Sequence, residues 1–230
     1  MRYRELGCLT PFFRGHNNST WKLIPSIGRE KRNPSLENWL YYGFLGYGGQ
    51  LLPDHHDSWD ILFLMQHHGL PTRLLDWTET FACALYFALK NATDEAAVWI
   101  LNPYALNLRS KHGYVIKNPR SDYPHGYFDY FIHAKPEEFD QPVAAVSAPR
   151  ITSRISAQAS VFTLHRDLKK GLERIAPECL EKIAIPSSAF EDANQFLKLA
   201  GVTEFSLFPD LDGLARFLNQ TNVKDIPIDY

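Results

Sequence analysis

Helix-like and strand-like hydrophobic patterns follow one another along this chain without a regular strand–helix–strand alternation, and that irregularity limits the folds open to it. A doubly wound parallel sheet needs a crossover helix after nearly every strand. The pattern therefore favours an α+β domain with mixed sheets and flanking helices. The helical stretches are short. Ile61, Leu64, Met65 and His68 recur at i, i+3, i+4 and i+7, Asp57 or Ser58 can cap their start, Gly69 stops them and Pro71 follows. Phe81, Ala84, Leu85 and Ala88 form a second apolar stripe, for which Thr78 is the candidate cap. Ser188 and Glu191 read as a capping box for a helix ending at Gly201, and a last helix starts near Asp210. Residues 97–101, 143–146, 160–164 and 182–185 read as strands. The glycine-rich stretch 46–58 reads as a loop. The polar, aromatic stretch 102–142 reads as irregular structure, a lid or substrate loop.

The chain has 230 residues, 45% of them hydrophobic, which is enough for one large core. No repeat or linker interrupts it, so residues 1–230 read as a single domain. A net charge of −2 gives no general attraction to nucleic acid or anionic membrane, though a local basic groove is compatible with it. No apolar run is long enough to span a bilayer and no signal-peptide core opens the chain. Cys8, Cys83 and Cys179 are odd in number and lack paired spacing, which excludes a disulfide framework and a zinc knuckle and points to a reduced, cytoplasmic protein.

Three arginine-bearing segments concentrate the polar chemistry. In Phe12-Phe13-Arg14-Gly15-His16 a planar guanidinium suited to phosphate or carboxylate sits beside a glycine through which backbone can approach a ligand closely. The competing reading is a surface arginine beside a strand end. Gln66 through Thr78 is denser still. Its bland reading is an Arg73–Asp76 ion pair, Trp77 in the core and Thr78 as a helix cap. His67 and His68 lie at no metal-ligand spacing, and no metal is expected. In the third segment Arg150 and Arg154 precede Gln158, whose amide can hold a ribose hydroxyl. The bland alternative is a strand entrance with solvated arginines. Nucleophile elbows, Walker loops and dinucleotide glycine fingerprints are absent. The acidic pairs Asp54/Asp57, Glu137/Glu138 and Asp210/Asp212 read as solvated or capping residues.

Four blocks taken in order resemble the FRG domain family: Phe13-Arg14-Gly15 with Trp21 to Arg29, Gln66 to Thr78 with Ala84 to Ala88, Arg154 to Thr163, and Gly201 with Leu207 to Leu214. Their order is similar to that of the ADP-ribosyltransferase fold, in which a first-strand Arg or His grips NAD, a second-strand Ser, Thr or Tyr leads into a helix beside the nicotinamide, and a later strand supplies a Glu. The resemblance implies NAD as substrate. It implies Gln158, Arg73 and Thr78 as catalytic residues, and Arg14, Gly15, Thr72, Asp76, Trp77, Tyr86, Arg154 and Phe162 as the residues that hold NAD. Gln158 stands where the family pattern has Glu, keeping a hydrogen bond and losing a charge; Asp76 and Glu79 are the nearest substitutes. Such transferases often act as toxins or in antiviral defence. The acceptor would be RNA, DNA or protein, and a neutralising antitoxin or chaperone is compatible with the resemblance. The alternative is a non-catalytic domain that binds a nucleotide or RNA with the same arginines and aromatics.

Overall fold

The computed structural model describes residues 10–29, 35–109, 113–133, 139, 141–147, 149 and 152–222. The architecture is α+β. Six antiparallel strands form one sheet: β1 (Phe12–His16), β2 (Leu74–Thr78), β3 (Ala96–Leu101), β4 (Val143–Ser147), β5 (Ser160–His165) and β6 (Leu180–Ile185), in the order β4-β5-β2-β1-β3-β6. The strands read from sequence at 97–101, 143–146, 160–164 and 182–185 are β3, β4, β5 and β6. β2 was not among the strands read from the sequence. Leu75 and Trp77 face one core and Leu74 another, so the segment alternates as a strand buried on both faces does.

The sheet is two ladders joined at a point. β2 pairs with β5 from Leu74 to Thr78, and β1 pairs with β3 from Phe12 to His16, each along its whole length. Between β1 and β2 one register pair holds, Phe13 opposite Thr78. One face of the sheet is continuous across this junction. There Phe12, Leu75, Trp77, Leu101, Val143, Ala145 and Val161 share a core with Leu106 and Leu172. On the opposite face the covering layers are separate. Over β4-β5-β2 lie α2 (Leu36–Gly48), α3 (Ser58–His67) and a π-helical turn, Phe128–Ile132. Over β1-β3-β6 lie α4 (Phe81–Leu89) and α9 (Phe190–Leu199). Shorter helices complete the chain: α1 (Ser26–Arg29), α5 (Pro103–Leu108), α6 (Pro119–Asp122), α7 (Ser153–Ala157), α8 (Leu172–Ile175) and α10 (Glu204–Leu207), with α11 (Leu211–Asn222) last. No helix among the described residues is long and apolar enough to cross a membrane.

Several local readings hold and several are overturned. Asp57 caps α3 in a reciprocal capping box with Asp60, and Gly69 at φ +81° ends the turn that follows. The expected 46–58 loop is partly helix. Gly46 and Gly48 belong to α2 because Leu40, Tyr41, Phe44 and Leu45 pack on the aromatic core, and that burial outweighs about 1 kcal/mol of helix propensity lost per glycine. Helix α4 is entered from Thr80, not Thr78, and α9 follows a 3₁₀ turn at Ser187–Ala189 with no side-chain cap from Ser188. The 102–142 stretch is no lid where it is described. Tyr127, Tyr130, Phe131, Ile132 and Phe139 are core residues, and Arg120 ties α6 to Asp57 and Asp60 at the head of α3.

Gly15 has a steric role at the join. A Cβ there would lie 2.0 Å from the Ala84 carbonyl oxygen and 2.5 Å from the Ala88 nitrogen, so only glycine lets β1 lie directly on α4. Gly15→Ala should therefore cost about 3 kcal/mol through overpacking against backbone that cannot rotate away, measured as a lower urea midpoint at unchanged slope.

Candidate functional site

A cleft of about 520 Å³ opens where β1 and β2 part. Arg14 comes from β1, Asp76 and Thr78 from β2, Lys90 from the end of α4, and Arg154 and Gln158 from α7 and its exit. Four cations, counting Arg29 from α1, face one carboxylate, Asp76, among the described lining residues. A site with that balance selects an anionic ligand.

Arg14 spans the gap between the two ladders. Its Nη1 donates to the Asp76 main-chain oxygen at 2.6 Å, taking the place of a ladder amide, and lies 3.8 Å from the Asp76 carboxylate. Its Nε donates to His16 Nε2 at 3.0 Å. Burial pulls the Arg14 pKa down to about 10, so it stays charged at neutral pH. Burial above all, with Arg14 and Arg29 nearby, holds the His16 pKa at about 3, so His16 is a neutral acceptor that orients the guanidinium.

The 66–78 block serves Asp76. Thr72 Oγ1 donates to Gln66 Oε1, which turns the Gln66 amide so that Nε2 donates to Asp76 Oδ2 at 2.8 Å. Thr72 thus acts through Gln66 and does not itself line the cleft. Thr78 Oγ1 donates to the Gln158 main-chain oxygen at 2.7 Å, and the Glu79 amide donates to Ala159 O at 3.1 Å, pinning the α7–β5 turn to the end of β2. Ala159 in that turn has φ +44°. The Gln158 amide donates to Leu207 O at 3.1 Å, and the Arg154 guanidinium lies 4.8 Å from the centre of the Phe208 ring. Lys90 is held by Glu204, a buried carboxylate that also accepts from Tyr86 and Arg216.

Other expected residues serve the core or its packing, although Gly15 and Trp77 border the cleft. Arg73 is buried away from the cleft. It forms a bidentate pair with Glu37, donates to His165 O at 2.8 Å, and stacks 3.9 Å from the Phe131 ring centre, with Tyr127 completing the Glu37 contacts. The anticipated Arg73–Asp76 pair does not form: Arg73 is committed to Glu37, and Asp76 accepts from Gln66. Phe162 packs on Phe63, Trp77 is buried with its indole donating to Thr163 Oγ1 at 3.0 Å, and the hydroxyl of the half-buried Tyr86 donates to Glu204. The absent side chain of Gly15 makes room for α4. Cys83 lines the cleft, but burial raises its thiol pKa to about 11, so it is no thiolate nucleophile at neutral pH. Arg150 lies outside the described residues, as do Glu137 and Glu138. Trp21, Arg29, Gln66 and Lys90 belong to the cleft without having been singled out. Trp21 and Arg29 sit in the first resembling block and Gln66 opens the second, which was the available signal.

The FRG domain model matches residues 10–97. Over that stretch the chain is similar to the FRG domain family. The match takes in β1, β2 and α4, and hence Arg14, Asp76 and Thr78, while Arg154 and Gln158 lie beyond it. No curated protein and no solved structure matches the chain.

Two outcomes follow. Arg73→Met should lose about 3–5 kcal/mol of stability, because it strands the buried Glu37 carboxylate, and should leave ligand affinity at the cleft unchanged in the folded fraction; denaturation and calorimetry read the two separately. His16 and His165 are both held near pKa 3, below an unfolded value near 6.5. The unfolded chain therefore binds protons that the folded chain refuses, and stability falls as pH drops below 6.5. From pH 7.5 to 5.5 the two should together remove roughly 2–3 kcal/mol, seen in urea melts; a flat profile over that window would mean that neither is held neutral.

Proposed function

We propose that this chain is an NAD-dependent ADP-ribosyltransferase that passes ADP-ribose to a macromolecular acceptor in the cytoplasm. The observation that carries the proposal is convergence. A first-strand arginine (Arg14), a residue at the end of the second strand leading into a helix (Thr78), and a polar side chain ahead of a later strand (Gln158) meet at one cleft where the sheet divides. These are the positions that the resemblance assigns to NAD binding and catalysis.

In the reaction proposed, the bond between ribose C1 and the nicotinamide nitrogen breaks, and its electron pair neutralises the departing ring. A nucleophile on the acceptor adds to C1 and releases its proton to solvent. Arg14 and Arg154 suit the pyrophosphate, because a guanidinium donates along the lone pairs of phosphate oxygens. Gln158 donates its amide to Leu207 O and keeps its carbonyl oxygen as the acceptor for a ribose hydroxyl. It cannot offset the positive charge that develops on the ribose. Asp76 can, and the Thr72–Gln66 relay holds its carboxylate in place. An effector role, as a toxin or in antiviral defence, fits this chemistry by analogy alone.

One observation favours a second reading, a nucleotide-binding domain without turnover: the Gln158 amide is already committed to Leu207, and the residue carries no charge. Nicotinamide release from NAD by the purified chain separates the two. The transferase reading expects release, weakened about 10–100-fold in affinity by Arg14→Ala and slowed about 100-fold by Gln158→Ala. Calorimetric NAD binding without release in the presence of RNA, DNA and protein mixtures selects the second reading. Absence of both binding and release overturns the two together.

A further inference from the structure

The segment from the end of β1 through α1 holds an aromatic ring and two cations in the open beside the cleft. Trp21 is 48% exposed, although its indole makes an edge-to-face contact with the His16 ring, with centroids 6.0 Å apart. Trp21 and Arg29 line the cleft and also a second hollow of about 470 Å³, which they share with Thr20, Lys22 and Ile24. The lining of that hollow has two cations and no carboxylate. Arg29 is fixed there by its Nε, which donates to Ile24 O at 2.8 Å. Lys182 on β6 adds a third cation nearby, its Nζ donating to Ser19 O at 2.5 Å. Among the described residues, no carboxylate forms an ion pair with Lys22, Arg29 or Lys182. The Glu173 carboxylate is close but is used by the backbone, accepting the Leu23 amide at 3.0 Å. On a chain of net charge −2, this is a local strip of positive charge around one exposed flat ring, running into a cationic cleft.

An exposed indole flanked by cations that no described carboxylate pairs matches one chemistry well. Any nucleobase can stack on the ring, and the phosphates on either side meet the cations. A duplex cannot use such a ring without unstacking a base, and an acidic peptide would satisfy the cations but leave the ring idle. We infer that the surface formed by Trp21, Lys22, Arg29 and Lys182 binds single-stranded nucleic acid, with one base on Trp21, and leads a neighbouring nucleotide into the cleft as the acceptor. The acceptor role rests on the transferase reading, whereas the binding surface stands without it.

The test uses the full chain and a fluorescein-labelled 12-nucleotide single strand, as RNA and as DNA, with the matching duplex and polyglutamate as competitors, read by anisotropy. Binding of either single strand, weakened about tenfold or more by Trp21→Ala and made less salt-dependent by Lys22→Glu, is the expected result. Lys22 does not line the cleft, so Lys22→Glu should leave NAD affinity unchanged. Thermal melts of both variants establish that they fold. The inference is overturned if neither single strand binds, if duplex or polyglutamate competes equally well, or if Trp21→Ala binds as the parent does. NAD turnover without strand binding defeats this inference and spares the transferase. Strand binding without NAD turnover does the reverse.

Discussion

The junction between β1 and β2 is the constraint on which the rest of the molecule depends. Two full ladders meet at Phe13 and Thr78, and beyond that pair the strands part. A sheet divided in this way leaves backbone groups without ladder partners, and buried backbone groups require partners. Arg14 supplies one, donating to Asp76 O from across the gap. The same guanidinium therefore closes the sheet and presents charge to the cleft. Gly15, one residue on, lets α4 lie against β1 on the far side, so the cleft has a rigid wall.

Around this junction the protein divides its polar residues into two kinds. One kind is buried and paired. Arg73 with Glu37 and Tyr127, and Glu204 with Tyr86, Lys90 and Arg216, anchor elements far apart in sequence. Such networks add little net stability but are costly to break, which suits them to holding one arrangement of elements. The other kind keeps donors for a ligand: Arg14, Arg154 and Arg29. The Glu204 network links the two, because Lys90 reaches the cleft and α10 carries the Leu207 oxygen that holds Gln158.

The block from Gln66 to Thr78 shows how a dense motif can mislead. Its residues invite reading as ligands, yet most act on one another. Thr72 orients Gln66, Gln66 orients Asp76, Thr78 holds the turn at Gln158, and Arg73 serves the core. Its alternation within β2 sends successive side chains to opposite faces, so neighbours in sequence have separate duties.

Local patterns determined much of this protein. The N-terminal cap of α3, the stop at Gly69, the α4 stripe and four of the strands were legible, because each depends on residues a few positions apart. The resemblance, not spacing, led to the expectation that Arg14, Arg73 and Gln158 would converge; Arg14 and Gln158 meet at the cleft, and Arg73 is buried against Glu37 instead. What only the tertiary structure decided was which side chains face the cleft. Partners such as Glu37 for Arg73, Glu204 for Tyr86 and Leu207 for Gln158 lie tens of residues away, and burial against them overrides the local tendency of each residue. Arg14 shows both levels at once. Its chemistry is readable from the sequence, and its place across the split comes from strands that meet through long-range packing.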